Sequence, residues 1–114
     1  MTKTINRYKT KVFIAVYEFK VLSGKEEEFQ DAWAKVTEAI AKHRGGLGSR
    51  LHNTEQEGIF VAYAQWPSRE QYFDESGAKK FSNGENLERK RMKAATEYIK
   101  TVYLMEVVDD RLKS

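Results

Sequence analysis

The side chains best equipped for chemistry are Trp66, Arg69 and Tyr72, crowded into seven consecutive residues, with Tyr17 and His52 further upstream. A phenol can donate to a developing oxyanion or pass on a proton, a guanidinium can hold negative charge, and an imidazole can serve as a base near neutral pH. An indole adds a broad apolar wall with a single N–H donor. These types together suit proton and oxyanion chemistry on a flat, apolar molecule. They do not suit thiol chemistry, because the chain has no Cys and so no thiol nucleophile, disulfide or cysteine metal site. His43 and His52 stand nine residues apart on different predicted elements, which is not metal-ligand spacing, so no metal site is expected. His43 reads as a cation suited to the end of a helix, and the Glu26-Glu27-Glu28 run as acid suited to the start of one.

The charge balance narrows the partners. There are 20 basic and 17 acidic residues in 114, a formal net charge of +3. Four of the basic residues, Lys3, Arg7, Lys9 and Lys11, lie in the first eleven positions with no acid among them, so the remainder is close to neutral. Residues 1–11 are read as a flexible basic arm and 12–114 as one domain, since a chain of this length has room for a single core. Arg89-Lys90-Arg91 and Lys93 would spread over more than one helix face, which describes a solvated surface, and nucleic acid is not expected as a partner. No apolar run approaches the roughly 18 residues of a membrane span, and the N-terminus lacks a secretory apolar stretch. The expectation is a soluble, cytoplasmic protein without a membrane partner.

The elements that must position the chemical residues follow from periodicity. Val12 to Val21 is mostly β-branched or aromatic and predicts a strand. Ser23-Gly24-Lys25-Glu26 has capping-box spacing, and Phe29, Trp33, Val36 and Ile40 then form a helical stripe that Gly45-Gly46 closes. Leu47–Thr54 and Ile59–Trp66 predict a strand pair around Glu55-Gln56-Glu57-Gly58. Pro67 stops the second strand, and Ser68-Arg69-Glu70-Gln71 begins a short helix that ends at Ser76-Gly77. An irregular stretch over Lys79–Gly84 leads into a helix from about Glu85 to Tyr98, and Thr101–Val108 is the last strand. The order β-α-β-β-α-β is the α+β, ferredoxin-like arrangement, an antiparallel sheet with both helices on one face.

Such a sheet, if monomeric, should be polar on its open face. Here Val12, Ile14 and Val16 alternate with Phe13, Ala15, Tyr17 and Phe19, while Ile59, Val61 and Tyr63 alternate with Phe60, Ala62, Ala64 and Trp66. Both faces are apolar, and the simplest second cover is the same sheet from another copy, a face-to-face homodimer. The face mixing small Ala15, Ala62 and Ala64 with large aromatics either leaves a ligand pocket beneath the helices or is filled by Phe29 and Trp33.

Val16-Tyr17-Glu18-Phe19-Lys20-Val21, Ser23-Gly24-Lys25, the helix with Phe29 and Trp33, Gly45-Gly46-Leu47-Gly48-Ser49 and Tyr63-Ala64-Gln65-Trp66-Pro67-Ser68 are sequence features that together resemble the antibiotic biosynthesis monooxygenase family over about residues 12–108. The family belongs to the dimeric α+β barrels, with quinol monooxygenases and heme-degrading enzymes. In its aromatic-polyketide branch the resemblance implies oxygenation of an acidic phenol or anthrone by dioxygen as co-substrate, with no cofactor. Trp66 matches the strand-end Trp of that branch and Tyr72 its helix Tyr. Ala62 stands where the branch carries Asn, so one oxyanion donor is missing, and Tyr17 or Arg69 is the candidate replacement. The heme-degrading branch is disfavoured, because no His follows His52 and Ser76 lies about where an axial ligand would be.

The reading is therefore a cofactor-independent monooxygenase acting on a small planar aromatic or quinol-type molecule. Trp66 and Tyr17 wall the pocket, and Tyr72 with His52 or Arg69 handles protons and the oxyanion. The alternative is a non-catalytic dimeric module of the same fold that binds a small apolar ligand.

Overall fold

A computed structural model describes residues 12–113; the basic arm over 1–11 lies outside the described residues. Four strands, β1 (Phe13–Val21), β2 (Ser49–Asn53), β3 (Ile59–Trp66) and β4 (Thr96–Glu106), form one sheet in the order β2-β3-β1-β4, with every neighbouring pair antiparallel. Helix α1 (Glu26–Arg44) joins β1 to β2. The β3 to β4 connection runs through α2 (Arg69–Phe73), a 3₁₀ helix (Ser76–Lys80) and α3 (Asn83–Ala94). This is the ferredoxin-like β-α-β-β-α-β order that the hydrophobic periodicity predicts.

Three element ends differ from the sequence expectation, each for a local reason. Ser23 does not cap α1: the chain turns at Gly24, whose φ is +84°, Lys25 N–H bonds back to Leu22 O, and the helix starts at Glu26 with no side-chain cap. Its three leading glutamates complement the helix dipole instead. Helix α3 begins earlier than predicted because Ser82 and Glu85 form a reciprocal capping box. It also ends earlier, at Ala94, and Thr96 to Lys100 join the sheet, since Ile99 and Tyr98 find cross-strand partners in Phe19 and Lys20.

The core lies between sheet and helices. Phe19, Val21, Phe29, Ala62 and Ala95 are its buried centre, and the Phe29 ring stands 5.0 Å from Phe19 and 5.6 Å from Phe60. The helix stripe read from Phe29, Trp33, Val36 and Ile40 faces this layer. Across the helix seam, Arg91 reaches Asp31 at 2.7 Å and Glu28 at 3.7 Å, and Lys35 reaches Glu88 at 3.9 Å, which sets α1 against α3.

On the sheet's other face the pairing register brings together Ile14, Val16, Val61, Tyr63, Tyr103 and Met105. Farther along, the face turns polar: Tyr98 donates to Glu18, and Lys100 lies 3.6 Å from the same carboxylate. The second apolar face expected from the strand pattern therefore covers only part of the sheet.

Candidate functional site

The small residues under the helices leave space. A cavity of about 430 Å³ opens between sheet and helices, lined from the sheet by Tyr17, Ala62, Ala64 and Trp66 and from α1 by Trp33, Ile40 and Arg44. Trp33 stands at the wall of this space and does not fill it. The cavity falls within the size range of small-molecule sites and is walled mainly by aromatic and aliphatic groups.

Polar chemistry concentrates at the Trp66 end. Tyr17 and Tyr72 share a hydrogen bond, Oη to Oη, at 3.0 Å. Only one hydroxyl proton is needed to bridge the pair, so the second remains available for donation. Burial is the main force pushing the Tyr17 phenol above its ordinary range, helped by the bond to Tyr72 and opposed more weakly by the charge of Arg44. Tyr17 is therefore a protonated donor through neutral and mildly alkaline pH rather than a base. Tyr72 stacks edge-on against Trp66, with centroids 5.4 Å apart, and tilts against Phe13 at 5.3 Å.

Arg44 organises this corner. Its Nη2 donates to Tyr72 O at 2.7 Å, and its guanidinium carbon lies 5.0 Å from the Trp66 ring centroid. Gln71 Nε2 donates in turn to Arg44 O at 2.7 Å. Ser68 caps α2 through the Gln71 N–H as its spacing predicts, and the Gln71 side chain turns to the end of α1 rather than closing a capping box. Arg44 Nε and Ser49 Oγ are buried without a hydrogen-bond partner among the described residues.

The connection after α2 supplies another part of the cavity wall. Glu75, Ala78 and Phe81 line it, and Gly77 packs so tightly on α1 that a Cβ there would lie 1.8 Å from His43 O. The same corner holds His43, whose Nε2 meets Glu85 Oε1 at 2.8 Å, while that carboxylate also accepts from Ser82 N–H.

Of the residues singled out in the sequence, the structure brings together Tyr17, Trp66 and Tyr72; Tyr17 and Trp66 line the cavity, and Tyr72 contacts both without lining it. Arg69 lies elsewhere, its guanidinium over the rings of Phe73 at 4.9 Å and Phe13 at 6.0 Å, and it does not line the cavity. His52 is exposed on β2, with its Nδ1 3.0 Å from Val61 O, and it pairs with Val61 on the face away from the helices. Sequence reasoning missed Arg44 and Ser49. For Arg44 a signal was present: it extends the stripe of Trp33, Val36 and Ile40 by one further step of four, the stripe's only charged position. Ser49 shares its face of β2 with Leu51 and sits opposite Ala64, a placement that needed the register of the hairpin.

The sequence profile of antibiotic biosynthesis monooxygenases matches residues 12–82. A comparison with curated proteins finds no match. Among solved structures, SnoaB from Streptomyces nogalater, a cofactor-independent oxygenase, is similar in the form of an Asn-to-Ala variant. Its TM-score is 0.66 at 16% identity, covering 91% of this chain and 99% of that one. Rv0793 from Mycobacterium tuberculosis gives a TM-score of 0.63 at 12% identity, covering 90% and 99%. A conserved protein from Methanosarcina mazei Go1 gives 0.61 at 13%, covering 86% and 92%. At such identities these likenesses establish the fold.

Proposed function

Because the chain belongs to the antibiotic biosynthesis monooxygenase family, we propose that it is a cofactor-independent monooxygenase that oxidises a small planar aromatic or quinol-type molecule with dioxygen, working as a cytoplasmic homodimer. The observation that carries the reading is Tyr17, which lines a mainly apolar cavity together with Trp66 and is hydrogen-bonded to Tyr72, itself outside the lining. Flat aromatic substrate fits between Trp33 and Trp66, and a phenol proton waits where negative charge would develop. The oxygenase character of SnoaB lends support through the shared fold.

The chemistry balances without a bound cofactor. An anthrone-type substrate loses a proton to give an enolate, which passes one electron to dioxygen. The resulting radical and superoxide combine, forming a C–O bond, and a second C–H proton is lost as the O–O bond breaks. One oxygen atom stays as a carbonyl and the other leaves in water, so a CH₂ group becomes C=O. The protein's part is to exclude water, hold the ring plane and stabilise the enolate oxygen by donation from Tyr17, whose own oxygen can accept from Tyr72. That donation takes over from the Asn that Ala62 replaces.

The homodimer would bury the apolar part of the open sheet face, where Val16 lies between Tyr63 and Tyr103. The decisive experiment follows dioxygen uptake with anthrone and with dihydroxynaphthalenes, using wild type, Tyr17→Phe, Tyr72→Phe and Trp66→Phe. Protein-dependent uptake that falls in the variants is expected. No protein-dependent uptake with any of them would overturn the reading in favour of a non-catalytic binding module.

A further inference from the structure

The oxygenation proposed above begins and ends with the loss of a C–H proton, and Tyr17 cannot take one because burial holds its phenol protonated. Arg44, Arg89 and Lys93 also line the cavity, but they are cations, and neither His lines it. One carboxylate remains: Glu75 is the single acidic residue among those that line the cavity. Nothing else in the fold uses its side chain. Glu75 precedes the 3₁₀ helix (Ser76–Lys80) without capping it, and the adjacent Asp74 takes the local role by accepting from Ser76 N–H at 3.0 Å. Glu28 and Glu88 pair with Arg91, and Glu85 is bonded to His43 and to Ser82 N–H, whereas Glu75 has no such partner among the described residues. Its place is fixed all the same. Gly77, two residues on, is seated against His43 O, and Tyr72, three residues before, is bonded to Tyr17 and to Arg44. Three residues of chain keep the Tyr72 and Glu75 Cα atoms within about 11 Å of one another.

We propose that Glu75 is the general base of the oxygenation, its carboxylate taking the C–H proton of the bound anthrone-type substrate. The inference rests on the oxygenase reading above and adds the group that receives the proton. The carbonyl oxygen and the CH₂ group of an anthrone lie across one ring, so donor and base must stand on different sides of that ring. Tyr17 on the sheet and Glu75 on the helical connection supply them from different walls of one cavity. The C–H bond breaks, its electron pair moves into the ring to leave the enolate charge on the oxygen that Tyr17 faces, and the proton goes to a Glu75 oxygen, giving a neutral acid. Glu75 is exposed, so that acid returns its proton to water and is ready for the second C–H loss as the O–O bond breaks. Carboxylates abstract protons activated by a carbonyl when a donor faces the developing oxyanion, which is the arrangement here.

The test reads the proton step without dioxygen. Anthrone is kept with the intact protein in deuterated buffer under nitrogen, and loss of its CH₂ signal in proton NMR gives the exchange rate above the buffer background. Wild type is expected to accelerate exchange, and Glu75→Gln to lose about a hundredfold or more of that acceleration, the range of a general base. Glu75→Asp, whose carboxylate is one methylene shorter, should recover part of the loss. Glu70→Gln removes a carboxylate outside the cavity lining and should leave the rate unchanged. Binding of anthraquinone, which has no CH₂ group to deprotonate, is followed by quenching of Trp33 and Trp66 and should stay within about twofold in every variant. No acceleration by wild type, a Glu75→Gln rate within about threefold of it, an equal loss in Glu70→Gln, or a loss matched by weaker anthraquinone binding would overturn the proposal. Exchange that depends on Glu75 with no dioxygen uptake would retain the base and reject the oxygenase reading alone. Dioxygen uptake that Glu75→Gln leaves intact would reject the base and retain the oxygenase.

Discussion

Replacing Gly77 and Gly84 by alanine makes the same chemical change seven residues apart, and the structure assigns the two opposite signs. At Gly77 a Cβ would stand 1.8 Å from His43 O and 2.8 Å from His43 C, both backbone atoms at the end of α1. That contact must open by more than an ångström before any side chain fits, and it can open only by lifting the 3₁₀ helix off α1. We expect Gly77→Ala to cost about 3 kcal/mol, the upper part of the range for overpacking a closed site. In a chain of this size that lowers Tm by on the order of 10–20 °C. Because Glu75, Ala78 and Phe81 line the cavity, the displaced segment should also weaken ligand binding. At Gly84, inside the first turn of α3, the nearest heavy atom to a new Cβ is Ser82 Oγ at 3.9 Å. There alanine restricts the unfolded chain and favours the helix, so Gly84→Ala should stabilise by roughly 0.5–1 kcal/mol. Urea unfolding followed by circular dichroism, with the slope checked for constancy, measures both. A Gly77→Ala protein that melts within about 2 °C of wild type would refute the reasoning, because no local adjustment short of parting the two helices relieves a clash between backbones.

Further outcomes follow from the same structure. Tyr17→Phe removes one half of the phenol pair and should cost about 1 kcal/mol of stability while lowering dioxygen uptake about tenfold or more, measured by chemical unfolding and oxygen electrode. The Tyr17 phenol is held above its ordinary range by burial, so its stabilising share is intact below pH about 10, where the unfolded chain ionises, and is lost as pH rises beyond that. Melting scans on the alkaline side should show this step in wild type and not in Tyr17→Phe. Bonds from Arg91 and then Lys35 hold Asp31 below the usual carboxylate range, and the Ser82 N–H followed by His43 does so for Glu85. Their contribution is present above about pH 4 and lost as pH falls through the lower folded values, so acid titration of Tm should be flatter in Asp31→Asn and Glu85→Gln. Val16→Asp, placed between Tyr63 and Tyr103, should turn a dimeric mass into a monomeric one in sedimentation, and a dimer that survives it would refute the proposed interface.

The strands and the α1 stripe were legible because their period is carried by large apolar residues: Phe29, Trp33, Val36 and Ile40 leave little choice of element or face. Boundaries were less legible wherever polar chemistry competes with periodicity. Ser23 and Glu26 have the spacing of a cap, yet the left-handed turn at Gly24 takes the chain into the helix another way, whereas Ser82 and Glu85 satisfy the same pattern and do cap. Tyr17, Trp66 and Tyr72 could be picked out as chemically able residues, but their meeting depends on β1 lying beside β3, a pairing of residues far apart in sequence. His52 and Arg69 show the converse: composition makes both chemically able, and the alternation of β2 and the rings of Phe13 and Phe73 place them off the cavity wall.

Why the cavity remains open is a question of forces, since apolar walls around a space of about 430 Å³ would gain by closing on one another. Trp33 is long enough to reach inward from α1, and only small Ala62 and Ala64 oppose it. What resists closure is a set of directional ties around the rim. Arg44 is bonded to Tyr72 O, Gln71 is bonded to Arg44 O, and the Gly77 backbone is seated on His43. Ser82 and His43 share the Glu85 carboxylate. Each tie joins the end of α1 to the connection that follows β3, so helix and connection are held as one frame at a fixed height above the sheet. Hydrogen bonds are directional where apolar packing is not, and shortening the gap would break several at once.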